Sequence, residues 1–450
     1  MTKVGWRPWL VLFAFSLLSA LITVAIYTAL GIALPLMVKD LKWNWTEAGF
    51  GFTVIGGCIG ASSYLPALLI RRIGVRSTLL LGTLLVAAGL LSLSATHGLT
   101  FYFLGAALCG VGYQMMALIP ATHVLGALFR RRSAAFGIYF TLSSAMAAGG
   151  PLMVIGLLQL FHGDWRLLWL IEVAVALVIG AGCALAMGGP GWLALASART
   201  DEAFAEDRAK PVVVRSAHGV QRTQEDWTLK AALKTPQFYI LLAAYFGHVL
   251  CLATTASFAF QHLTEHGVST LVIGGVLTIE ALMGMVWRLL AGVLGDIVNP
   301  RYVLIFSVGA LVLGMFALAA PQGYLGLLVF AVGVGIGTTV TALAVTVLLL
   351  DYFGRKHNLE IFSTVCMVGA LSALGPTLGG VLRDHLGSFT PTFQLFAALN
   401  GAVFIAAVLM RPPSPRTVGL AAPDRDASPL ERPTAAAERQ PVPQLANDIA

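Results

Sequence analysis

Apolar stretches of about twenty residues recur along this 450-residue chain, parted by short polar breaks, and no soluble architecture buries so many of them. A hydrocarbon core of roughly 30 Å asks for about 20 apolar residues per helix, and the backbone must bond within the segment. The chain therefore reads as an all-α polytopic membrane protein. Twelve transmembrane helices are expected, at 9–33, 48–70, 77–95, 101–128, 134–160, 166–187, 237–262, 270–295, 302–319, 324–350, 360–383 and 391–410. Composition agrees, because 11% of residues are charged against about a quarter in soluble domains. Lys3 and Arg7 give the first stretch a signal-peptide look, but its apolar run is too long and it reads as a helix.

Positive loops stay cytoplasmic, which fixes the expected orientation. With the N-terminus inside, the short loops place Lys39, Lys42, Arg166 and Arg383 outside and the more numerous remainder inside. The protein is thus expected in a cell (inner) membrane, multi-pass, with both termini cytoplasmic. The net charge of +7 follows from that topology, so Arg71-Arg72 and Arg130-Arg131-Arg132 read as inter-helix loops and not as a nucleic-acid surface. Cys58, Cys109, Cys183, Cys251 and Cys366 fall inside apolar segments at no metal-ligand spacing. They read as packing residues, with no metal and no cofactor expected.

Residues 188–235 form one long polar interruption, which divides the chain into 1–187, a six-helix bundle, the cytoplasmic linker 188–235, and 236–410, a second six-helix bundle. The stretch 411–450, rich in Pro, Ala and charge, reads as a disordered cytoplasmic tail. An internal repeat supports the division. Arg76 and Arg301 stand 225 residues apart, as do Gly150-Pro151 and Gly375-Pro376, and Phe129 precedes Phe353 by 224. Two six-helix halves around a midplane site suit a molecule that rocks between outward and inward access.

Several of these residues carry a resemblance. Arg72-Ile73-Gly74-Val75-Arg76 after the second helix, and Gly292-Val293-Leu294-Gly295-Asp296 leading to Arg301 after the eighth, are similar to the signature loops of the major facilitator superfamily. Gly31-Ile32 with Pro35, Trp45-Thr46-Glu47-Ala48, Leu128-Phe129-Arg130-Arg131-Arg132 and Gly375-Pro376-Thr377-Leu378-Gly379-Gly380 resemble more narrowly its monocarboxylate transporter and oxalate/formate antiporter-like branch. The resemblance implies the major facilitator fold, alternating access and gating by Arg72, Arg76, Asp296 and Arg301. Arg71 departs from the pattern, since the family loop usually has an acid or Asn there.

A charge at hydrocarbon depth costs about 2.5–3.5 kcal/mol or more, so each one is a candidate site. Arg288 sits inside the eighth apolar run, and its position four residues before Gly292 matches the substrate-binding arginine of monocarboxylate transporters. Its guanidinium fork suits a carboxylate; snorkelling to the interface or pairing with Asp296 is the competing role. Glu280 lies two turns earlier, so Glu280, Gly284, Trp287 and Arg288 are expected to line one side of a cavity. A carboxyl at that depth can carry a proton, or can serve only a structural hydrogen bond. The family's acid one turn before the arginine is replaced by Gly284. His248 is the second proton-coupling candidate, against a helix-interface hydrogen bond. Tyr27 and Tyr139 complete the substrate-binding set, with polar contact between helices as the alternative.

Gly333-Val334-Gly335-Ile336-Gly337 follows no strand and lacks the Lys-Ser/Thr of a phosphate loop, so ATP chemistry is not expected. The resulting expectation is a monomeric, non-enzymatic secondary transporter of a small organic anion, a monocarboxylate, driven by proton symport or anion exchange. An exporter of apolar or amphipathic compounds is the alternative.

Overall fold

The computed structural model describes residues 6–116, 118–129, 132–187, 227–294, 298–354 and 357–413. The chain divides into one unit over Met1–Pro412 and a second over Pro413–Ala450, the latter beyond Pro413 lying outside the described residues together with the expected tail. Twelve long helices follow in order, numbered α1 (Arg7–Leu41), α2 (Trp45–Ala61), α3 (Leu65–Ser94), α4 (Leu99–Leu128), α5 (Ala135–Leu160), α6 (Trp165–Ala186), α7 (Pro236–Glu265), α8 (Thr270–Leu294), α9 (Pro300–Ala319), α10 (Gly323–Phe353), α11 (Glu360–Leu386) and α12 (Thr390–Leu409). Among the described residues, eleven are long and apolar enough to cross a membrane by themselves. The exception, α2, falls short because Ser62–Tyr64 break it and the crossing resumes in the first turns of α3.

Local chemistry sets these breaks. Pro66 can occupy only the first turn of a helix, so α3 restarts there, and Gly74, at φ +82°, adopts a left-handed conformation that a side chain would oppose. The expected second helix, 48–70, is therefore two pieces, and the bend comes at Gly74. The first helix also exceeds its expected bounds. It absorbs Pro35 and runs to Leu41 through a π-helical segment, Val24–Ala29. The repeat-related pair α5 and α11 is discontinuous at matching points. Gly149 interrupts α5 before Gly150-Pro151, and a 3₁₀ segment, Ala370–Leu374, precedes Gly375-Pro376 in α11.

Packing repeats under the 225-residue shift. In the first six helices α3 packs on α4 and α6, α2 on α4, and α1 on α5 and α6; in the last six α9 packs on α10 and α12, α8 on α10, and α7 on α11 and α12. The two sets meet through α1 with α7, α2 with α11 and α5 with α8, pairs that a two-fold axis exchanges or keeps. Part of the expected linker, 188–226, lies outside the described residues. At its described end Leu229–Ala232 form a short helix, and Trp227 donates its backbone N–H to Phe353 O at 2.9 Å.

The halves are tightest at the face where α1 ends and α2 begins. A methyl added at Gly49 would overlap Pro376 O, one at Gly56 would stand 2.8 Å from Ala373 Cβ, and one at Gly60 3.8 Å from Ala370 Cβ. The α2–α11 pair thus diverges away from that face, which leaves Gly60 and Ala370 exposed.

Candidate functional site

A cavity of about 280 Å³ opens between α1, α5, α7, α8 and α10. Its charged lining is one acid and one base, Glu280 and Arg288, both from α8. Helical spacing explains the placement, since residues four apart share a face and Gly284, between them, also lines the cavity. Gly284 also lets α8 approach α10, because a methyl there would stand 2.8 Å from Thr339 Oγ1. Thr23, Thr28, Ser144, Thr255, Thr338 and Thr339 also line the cavity, the hydroxyls of Thr23, Thr255 and Thr338 donating to Ser19 O, Met315 Sδ and Val334 O.

Arg288 is exposed to this space. It donates from Nη1 to Ser144 Oγ at 3.2 Å and lies 5.8 Å from the centre of the Phe140 ring, so it reaches across from one half to the other. Among the described residues Ser144 is its one hydrogen-bond acceptor, which leaves most of its five N–H donors for an anion. Glu280 is half-buried and has no hydrogen-bond partner or ion pair among the described residues. The two charges line one cavity without neutralising each other by contact.

The other predicted residues separate. Trp287 does not line this cavity; it turns to α9, where its ring lies 5.0 Å from Phe306 and packs beside Ala291, Ile336 and Val340. Tyr139 is 1% exposed within the first half's core, and its carbonyl accepts from Ser16 Oγ at 3.3 Å. Both positions depart from the expected cavity lining, and an aromatic residue gives no sequence signal for which neighbour it will meet. His248 is buried in α7 with Nδ1 3.3 Å from Ala244 O and its ring against Tyr245.

Tyr27 faces a second cavity, of about 220 Å³, between α1, α2, α7 and α11. Its ring meets Tyr113 of α4 edge-on at 6.1 Å. Sequence reasoning does not find this cavity, because small and apolar residues in helices read as packing.

Of the gating set, Arg72 and Arg76 are exposed on either side of the Gly74 bend, and Asp296 lies outside the described residues. Arg301 stays within its own half. It donates to the carbonyls of Ala407 and Val408, at 3.4 and 2.5 Å, and so caps the C-terminal end of α12. The inter-half polar contacts lie elsewhere. Asp384 of α11 accepts from Trp45 N, Thr46 N and Thr46 Oγ1 at 2.9, 2.8 and 2.6 Å, while Thr53 Oγ1 donates to Ala373 O at 2.6 Å.

Comparison with known proteins gives this geometry a setting. The profile described as Major Facilitator Superfamily matches residues 16–371 and 254–444. A "Putative tartrate transporter" of Agrobacterium vitis is 23% identical over 407 residues, covering 86% of this chain and 87% of its own. Two crystal structures of the nucleoside transporter NupG, one of them of a point mutant, superpose with TM-scores of 0.65 and, for the mutant, 0.64, each at 14% identity. They cover 91% and 90% of this chain and 99% of their own. At that identity the likeness concerns the fold alone.

Proposed function

The chain belongs to the Major Facilitator Superfamily, a multi-pass membrane transporter family, and from that premise we propose that it is a secondary active transporter of a small organic monocarboxylate. One observation carries the reading: Arg288 is the single cationic side chain among the residues lining the central cavity. One guanidinium matches one carboxylate through paired N–H donors. A dicarboxylate such as tartrate, named for the relative above, would bring its second charge into a space whose remaining ionisable group is the acid Glu280.

Transport proceeds by alternating access. The substrate sheds water against the polar lining of the central cavity and is held by Arg288 at the seam of α5 and α8. The halves then rock about the α1–α7 contact. Glu280 takes the coupled proton, so carboxylate and proton cross together and the charge moved is small. His248, hydrogen-bonded within α7, is the weaker coupling candidate of the two. Arg72, Arg76 and Arg301 act from the ends of the helices in gating. The protein works as a monomer in a cell (inner) membrane with both termini cytoplasmic, an orientation supported by the distribution of Lys and Arg among the short loops.

Uptake of labelled pyruvate into proteoliposomes, with and without an inward proton gradient, tests the reading. Saturable, gradient-stimulated uptake that is lost in Arg288→Ala is expected. Saturable uptake retained in that variant would refute the anchor.

A further inference from the structure

We propose that the second cavity is a subsite for the apolar body of the substrate, so that the preferred anion is a carboxylate bearing an aryl or branched alkyl group. This rests on the reading of Arg288 as the carboxylate anchor. The cavity wall is nearly all apolar: Phe52 and Ile59 from α2, Val249 and Ala253 from α7, and Ala370 and Ala373 from α11. An apolar cavity of about 220 Å³ has few partners for water, and a hydrocarbon group fills it at a gain.

The two cavities are lined in part by the same two helices, α1 and α7. Tyr27 lines the apolar one and Thr28 the charged one, on the π-helical segment of α1; such segments recur at functional sites. Along α7, Val249 and Ala253 alternate with Leu252 and Ala256 between the two cavities. Tyr113 of α4 stands edge-on to Tyr27 at 6.1 Å between ring centres. The hydroxyl of Tyr27 has no hydrogen-bond partner among the described residues and is free for a polar substituent. The charged cavity measures about 280 Å³ and the apolar one about 220 Å³, so a ligand that occupies both has the room of a small-molecule site.

The size of the preference follows from pocket chemistry, in which one methylene of fit changes discrimination by about tenfold or more. The wild type is therefore expected to transport labelled benzoate with a kcat/KM at least roughly tenfold above that for labelled acetate. Gly60→Leu places a side chain in the cavity, and its Cβ would stand 3.8 Å from Ala370 Cβ, an ordinary contact. Ala370→Leu fills the same space from the facing helix. Both variants, reconstituted in proteoliposomes, are expected to lower the benzoate-to-acetate ratio about tenfold or more. An unchanged ratio in both variants, or a wild type indifferent to the aryl group, overturns the subsite. Arg288→Ala separates the two ideas. Loss of both probes in that variant, with a ratio insensitive to filling, overturns the subsite and leaves the anchor standing; transport retained in Arg288→Ala overturns the anchor and the subsite with it.

Discussion

Replacing Asp384 with alanine removes the carboxylate that one half of the molecule sets against the N-terminus of a helix in the other. That carboxylate accepts from two backbone N–H groups and one hydroxyl, at 2.6 to 2.9 Å, at the positive end of α2. Removing a helix-capping acceptor costs about 0.5–2 kcal/mol, and a charge at a helix terminus contributes about 0.3–1 kcal/mol. Asp384 is exposed, which holds the combined loss to about 1–2 kcal/mol, a factor of roughly 5–30 in a two-state ratio. The loss falls on closure and not on folding, because α2 keeps its own cap: Asn44 Oδ1 accepts from Glu47 N at 2.7 Å, and Glu47 Oε2 accepts from Asn44 N at 3.2 Å. Spin labels at Lys42→Cys and His385→Cys, both exposed near the closed face, report the α2–α11 separation in a background without the five native cysteines. Asp384→Ala should raise the ratio of the long-distance to the short-distance population by roughly 5–30-fold. An unchanged distance distribution in a folded variant would refute the reasoning.

Gly380→Ala acts on the same seam by sterics, because the added methyl would overlap Trp45 O; the long-distance population should grow and the melting temperature in detergent should fall. Gly284→Asp, which would restore the acid seen in monocarboxylate transporters, meets Thr339 Oγ1 at 2.8 Å. It should yield less folded protein by size-exclusion chromatography, with partial recovery when combined with Thr339→Ala. Glu280→Gln should abolish stimulation of uptake by a proton gradient while leaving carboxylate exchange measurable, and gradient stimulation retained in that variant would remove Glu280 from coupling.

The helices are legible in the sequence wherever hydropathy alone decides, and the internal repeat is legible because Gly-Pro pairs and loop arginines punctuate it. Their irregularities are less so. Pro35 suggests an end to α1, yet the helix continues for six more residues, because a proline within a membrane helix can be accommodated by local adjustment such as the π segment upstream. The charged part of the site is legible for an energetic reason: Arg288 and Glu280 stand out at hydrocarbon depth, where an unexplained charge is costly. Sequence reasoning misplaces Trp287 and Tyr139 because an aromatic ring fits a core as readily as a cavity. The pairing of Asp384 is not legible in the sequence, since its partners lie more than 330 residues away and nothing local announces them. The apolar cavity is invisible for the same reason, being a property of four helices and not of any one.

The central claim is that a single guanidinium holds the substrate carboxylate. Equilibrium binding of labelled benzoate to the purified protein, measured by scintillation proximity for wild type, Arg288→Lys and Arg288→Ala, tests it most directly. The account predicts saturable binding by the wild type, weaker binding by the lysine variant, whose point charge lacks the paired donors, and none by the alanine variant. Saturable binding of equal affinity in Arg288→Ala would contradict it.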